Sequence, residues 1–306
     1  MAFSPHRLSG DTGYFALTLL IAAALVFTVQ PMAGKMLLPL TGGSAAGWAV
    51  AMAFFQTSLL AGYLLSHLLS RLPPLLHAGL VICCLAGGLL TLPVDFQSGL
   101  VSESNLGTAS NVYWALLRNL GLPFTFLAAT APSFMRLFSY TRNPRAHDPY
   151  FLYAASNIGS FAGLLSYPFL IEPFFMLKTQ NAGWTAFYTL LIGLLVLAVF
   201  LAFMFHRRGP AQTSETESRN IPETDWGTWR TRLQLLMLAA IPSSLILGTT
   251  TEITTDMIAM PLFWVLPLAL YLLSHILAFS ERFDWDHEKL SLYHVIAVTL
   301  ILFPEI

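Results

Sequence analysis

The stretch Tyr14-Phe15-Ala16-Leu17-Thr18-Leu19-Leu20-Ile21-Ala22-Ala23-Ala24-Leu25-Val26-Phe27-Thr28-Val29-Gln30-Pro31-Met32-Ala33-Gly34-Lys35-Met36 decides the fold. It is apolar on every side of a helix, and its first charge is Lys35. About 20 such residues cross about 30 Å of hydrocarbon. The run exceeds the roughly 7 to 15 apolar residues of a signal peptide, and no small-x-small site closes it before Gln30-Pro31. It reads as a retained membrane helix.

Working outward, seven further segments have the same character, at about 46–70, 75–94, 113–135, 149–171, 184–205, 232–251 and 258–279. A ninth begins near Leu290 and meets Pro304-Glu305-Ile306 after about 15 apolar residues, short of a usual span. The expectation is an all-α polytopic membrane protein with eight full spans and a partial ninth, the front part of a longer polypeptide. Composition agrees. Of 306 residues, 56% are hydrophobic and 10% charged, against about 25% charged in soluble domains, which excludes an ordinary water-soluble enzyme. A net charge of -1 excludes nucleic acid as a partner, because phosphate binding needs clustered positive charge. Cys83 and Cys84 are adjacent, a spacing that suits neither a disulfide framework nor a metal site.

The basic residues set the orientation. Alternate connections hold Arg7, Arg71, Arg136, Arg142, Arg145, Arg207, Arg208, Arg219, Arg230, Arg232, Arg282 and Lys289; the others hold only Lys35 and Lys178, and Arg118 lies within a span. By the positive-inside rule the N-terminus is cytoplasmic.

The one long polar stretch, 206–231, centres on Gly209-Pro210-Ala211-Gln212-Thr213-Ser214-Glu215-Thr216-Glu217-Ser218 and cannot bury a core. It divides the chain into a first six-helix bundle, 1–205, and the start of a second helical set, 232–306. Across it Tyr63-Leu64-Leu65-Ser66-His67-Leu68-Leu69-Ser70 recurs as Tyr271-Leu272-Leu273-Ser274-His275-Ile276-Leu277-Ala278, each at the cytoplasmic end of the second helix of its half. Six helices, a polar cytoplasmic linker and a second set of the same orientation follow the parallel-repeat plan of major facilitators. In the fifth segment Ala155, Gly159 and Gly163 recur every four residues, a row that lets helix backbones approach closely.

Charges inside a membrane are functional candidates by default. Here they are Lys35 one turn past Gln30-Pro31, Arg118, and the carboxylates Glu252 and Asp256, four apart on one helical face. With the first, fourth and seventh helices around a central cavity, Gln30, Lys35, Arg118, Glu252 and Asp256 would meet in its outer half and receive a small cationic ligand. The alternative is that Lys35 and Arg118 snorkel to the interface and the carboxylates open an outer loop. His67 and His275 read as interfacial, and Asn157 as a partner in an interhelical hydrogen bond. Catalytic motifs are missing. Gly34-Lys35 resembles the end of a phosphate loop, but Val29 stands where its first glycine belongs. No Rossmann glycine pattern, metal-ligand set or nucleophile–base spacing is present, so this chain is expected to hold no catalytic residue, metal or cofactor of its own.

The run Gln30-Pro31-Met32-Ala33-Gly34-Lys35-Met36-Leu37-Leu38-Pro39-Leu40 with Gly42-Gly43-Ser44-Ala45-Ala46-Gly47-Trp48 resembles the opening of bacterial fused major-facilitator/spermidine-synthase-like membrane proteins. Tyr153-Ala154-Ala155-Ser156-Asn157-Ile158-Gly159-Ser160 and Ile241-Pro242-Ser243-Ser244-Leu245 resemble further stretches of that family. The resemblance implies an inner-membrane domain followed by a cytoplasmic aminopropyltransferase-like domain, on the same polypeptide or as a separate subunit. In true facilitators the second-to-third-helix loop reads Gly-x-Leu-x-Asp-Arg-x-Gly-Arg-Arg; here Ser66 replaces the aspartate and Leu69 the second glycine. Three functions stay open: a membrane anchor that binds or passes a small cation for a synthase-like domain, a stand-alone secondary transporter, and a purely structural anchor.

Overall fold

The computed structural model describes residues 10–41, 45–96, 108–141, 143–146, 149–206, 229–256, 265–278, 289 and 292–293, some by backbone alone. All regular structure among them is helical. The order is α1 (Gly10–Thr41), α2 (Ala45–Leu69), α3 (Pro74–Gly88, ending in a 3-10 turn at Leu89–Thr91), α4 (Thr108–Ser139), α5 (Tyr150–Ser166), α6 (Leu177–His206), α7 (Trp229–Asp256) and α8 (Val265–Ala278). Beyond Ser166, α5 continues through a π-helical turn, Tyr167–Ile171, into a last short turn, Glu172–Phe174.

Among the described residues, five helices are long and apolar enough to cross a membrane: Thr12–Pro39, Ala46–Leu69, Pro74–Thr91, Phe151–Phe174 and Leu177–Met204. The sequence reading of eight full spans exceeds this for local reasons. Helix α4 is as long as α1 at 32 residues, but Arg118, Asn119, Thr125, Thr130 and Ser133 dilute its apolar character. Helix α7 carries Arg230, Arg232, Gln234 and the threonines 249–251, and α8 is described over only 14 residues. The ninth segment and the body of the polar linker lie outside the described residues.

Local chemistry explains the breaks. Pro74 occupies the first turn of α3, where its missing N–H costs nothing. Pro31 and Pro39 lie inside α1, and Pro123 and Pro132 inside α4; neighbouring helices and hydroxyl side chains make such interruptions tolerable in a membrane bundle. Between α1 and α5 the Thr28 hydroxyl bonds the Ala24 carbonyl at 2.6 Å and reaches the Gly163 carbonyl of α5 at 3.4 Å.

Helix α1 runs through the centre of the bundle. The broadest contacts join α1 to α5 and α2 to α4; others join α3 to α4, α1 to α6, α1 to α4 and α3 to α6. Exchanging α1 with α4, α2 with α5 and α3 with α6 leaves this set of contacts unchanged. Aromatic rings fill the core: Phe54, Phe55 and Phe124 at one level, Phe15, Phe138 and Phe151 at another. Helix α8 lies against α5, with Val265, Ala269 and Leu272 covering the fully buried Leu164.

The α1–α5 contact rests on missing side chains. A Cβ at Gly159 would run into the backbone of Leu20, and one at Gly163 would lie 2.6 Å from the Ala24 carbonyl oxygen. A similar fit joins the two parts of the opening motif, since a Cβ at Gly34 would lie 2.5 Å from the Trp48 ring.

Candidate functional site

Polar side chains concentrate at the two ends of the bundle. At one end the loop between α2 and α3 meets the last turn of α4, where a helix dipole favours a cation. Both terminal nitrogens of Arg136 donate to the Leu72 carbonyl at 3.1 Å, and Nη1 also donates to His77 Nδ1 at 3.1 Å. The guanidinium lies 5.6 Å from the centre of the Tyr140 ring.

His77 is 1% exposed, and its partners assign its proton. Because Nδ1 accepts from Arg136, the ring carries its hydrogen on Nε2 and donates it to Ser133 Oγ, 3.0 Å away. Ser133 passes its own proton to the Ala129 carbonyl at 2.6 Å, so the Ser66 hydroxyl must donate to Ser133 Oγ, at 2.9 Å. The result is a one-way chain of hydrogen bonds through α2, α3 and α4. Such a network is stabilising only while every member is satisfied.

At the other end Lys35 Nζ of α1 pairs with Glu172 Oε1 at 2.5 Å, the two side chains being 35% and 25% exposed. Beside it the Tyr167 hydroxyl donates to Gln180 Oε1 at 3.0 Å, and Gln180 Nε2 donates to the Phe175 carbonyl at 2.8 Å. Asn181 grips the connection between α3 and α4, accepting from the Val94 N–H at 3.1 Å and donating to its carbonyl at 2.7 Å.

The two ends are built alike. Pro132-Ser133-Phe134-Met135-Arg136 repeats the proline-to-cation spacing of Pro31-Met32-Ala33-Gly34-Lys35 near the end of the helix that exchanges with α1. Lys35 fastens the connection between α5 and α6, while Arg136 fastens the one between α2 and α3. The buried polar residues His77 and Gln180 each stand fourth in their helix, α3 and α6.

The residues expected to line a cavity take separate places. Gln30 is buried and turns its amide to the Val26 carbonyl of its own helix, 3.1 Å away. Lys35 is committed to Glu172, and Arg118 is exposed on α4. Glu252 and Asp256 stand in the last turns of α7; their side chains, like that of His275, lie outside the described residues. His67 is exposed. Asn157 differs from expectation, because its Nδ2 is buried and meets no hydrogen-bond partner among the described residues.

Sequence reading passed over His77, Ser133 and Glu172 and counted Arg136 only as a loop charge. The repeated proline-to-cation spacing was the signal that marked both ends. Among the described residues, no three His, Cys, Asp or Glu side chains form a group able to hold a metal. The partly exposed Lys35–Glu172 pair is expected to contribute about 1 kcal/mol or less, so Lys35→Met should lower the melting temperature by a degree or two at most (~1–2 °C). A loss comparable to that of a buried network would contradict this reading.

Among the described residues these features define an all-helical membrane protein with multiple helices of spanning length and a polar cluster at each end of the bundle. No family model, curated protein or solved structure matches the chain.

Proposed function

We propose that this chain is a major-facilitator-like membrane domain of a spermidine-synthase-like fused protein. In this reading it sits in the bacterial inner membrane with a cytoplasmic N-terminus, anchors an aminopropyltransferase-like domain, and binds or passes a small organic cation. Helices α4, α7 and α8 also span the bilayer. The observation that carries the architecture is the set of helix contacts unchanged by exchanging α1–α3 with α4–α6. That is the pattern of the inverted three-helix repeats nested in each facilitator half. The lie of α8 against α5 supports it by bringing the second set onto the first.

The aminopropyltransferase link rests on the resemblance of the 30–48 motif. The cation link rests on Glu252 and Asp256, two carboxylates on one face of α7 with no basic residue between them. The stand-alone transporter is the weaker reading, since Ser66 stands in for the acidic gating residue and spends its hydroxyl inside the bundle on Ser133.

Radiolabelled spermidine binding to the membrane-inserted chain tests the cation reading. Glu252→Gln with Asp256→Asn should weaken binding by about tenfold or more, the loss of roughly 1.4 kcal/mol or above. Unchanged binding in the double variant would remove the cavity and leave an anchor.

A further inference from the structure

A groove of about 430 Å³ runs along the outside of α1, bounded by the end of α5 and the first half of α6. Leu20, Ala24 and Thr28 form its α1 wall, Ile171 closes its end at the π-helical turn, and Gly183 and Phe187 form its α6 wall. No residue of α8 lines it. Phe187 is 56% exposed on its rim, so the groove opens sideways at the depth of the spanning helices. A space lined this way offers water too few polar partners to stay filled.

The two ends of the groove differ in chemistry. One turn past Met32 and next to Ile171 comes the partly exposed Lys35–Glu172 pair, with the exposed Lys178 close in sequence on α6. Around it Phe174 and Met176 are 74% and 83% exposed, apolar side chains placed where a bilayer rather than water would meet them. An apolar slot at membrane depth, ending at an ion pair at one membrane face, is complementary to a single zwitterionic amphiphile.

We propose that this groove is a phospholipid site, holding one acyl chain of a lipid from the leaflet at the Lys35 end, with the headgroup phosphate at Lys35. The chain enters between α1 and α6; the phosphate takes Lys35 and the ammonium of a phosphatidylethanolamine headgroup takes Glu172, so that each half of the ion pair meets its opposite charge. The site does not depend on the cation-binding reading of α7, only on the helices spanning a bilayer.

Two glycines of α6 make the test clean. A Cβ at either Gly183, in the groove, or Gly193, outside it, meets nothing within 4 Å, so a side chain can start at either position without striking a neighbouring helix. The full chain is extracted in mild detergent, washed extensively, and examined by native mass spectrometry for retained phospholipid. Wild type and Gly193→Phe should each keep one lipid, while Gly183→Phe should keep about tenfold less. A bare wild-type chain, or equal retention in Gly183→Phe, overturns the site. Lys35→Met leaves the groove open and covers the case in which Gly183→Phe does not fold. It should lower retention of phosphatidylethanolamine while leaving uncharged diacylglycerol as tightly held as before. Loss of both or of neither overturns the headgroup placement.

Discussion

Gly159→Leu and Gly163→Leu will each prevent the chain from accumulating as a folded protein in membranes. At both positions even a Cβ would enter the space of α1, and the atoms it meets are backbone, which cannot turn aside as a flexible side chain can. The helices would have to separate along the broadest contact in the bundle. That separation would undo the Thr28 bond to the Gly163 carbonyl as well. Overpacking of a well-packed core costs about 1 to 3 kcal/mol and more where the backbone must move; here the cost should exceed about 3 kcal/mol, a large part of the margin of a typical domain. Gly13→Ala and Gly193→Ala give the contrast, since their added methyl groups meet nothing within 4 Å and raise helix propensity. Thermal unfolding in detergent should show those two at or above wild type. A Gly159→Leu variant with wild-type melting would mean that α1 and α5 do not lie together as described.

Arg136→Ala should give the second large effect, a loss of about 3 kcal/mol. It removes the donors to His77 Nδ1 and the Leu72 carbonyl together. A buried acceptor left without a donor costs about 1 to 3 kcal/mol, more where the lost partner was charged. Arg136→Lys should recover less than half of the loss, because an ammonium cannot reproduce the fork that spans both acceptors. His77→Ala on the wild-type background should cost less than Arg136→Ala, and adding it to Arg136→Ala should cost little more, since the two belong to one network. Full additivity of the two losses would show that the hydrogen-bond chain is not the source of the stability.

Much of the fold was legible because membrane helices are coded locally. The apolar run 14–36 sets α1 by itself, and Pro73-Pro74 marks the start of α3. The small-residue row in α5 identifies a close approach, though not that α1 is the partner. Helix α4 is legible as the segment 113–135, but nothing local in it shows that it contacts α1, α2 and α3 as an axis of the bundle.

The polar ends were less legible because their partners lie far apart in sequence. Lys35 stands out as a charge, but its partner Glu172 sits 137 residues on, just past a predicted span. Arg136 and His77 are separated by 59 residues, and nothing local in either segment joins them. Glycine also acted less visibly than charge. Gly34 looked like the remnant of a phosphate loop, whereas it makes room for the Trp48 ring.

In the proposed topology the Lys35 and Arg136 ends of the bundle face opposite sides of a bilayer, with the Arg136 end cytoplasmic. Lys178 and Arg71 are exposed, one in the first turn of α6 and the other in the α2–α3 connection, so each accepts a cysteine without disturbing either polar cluster. With Cys83 and Cys84 changed to serine, intact bacteria are treated with a membrane-impermeant maleimide before and after permeabilisation. Lys178→Cys should label in intact cells and Arg71→Cys only after permeabilisation. Labelling of both from the same side would contradict it.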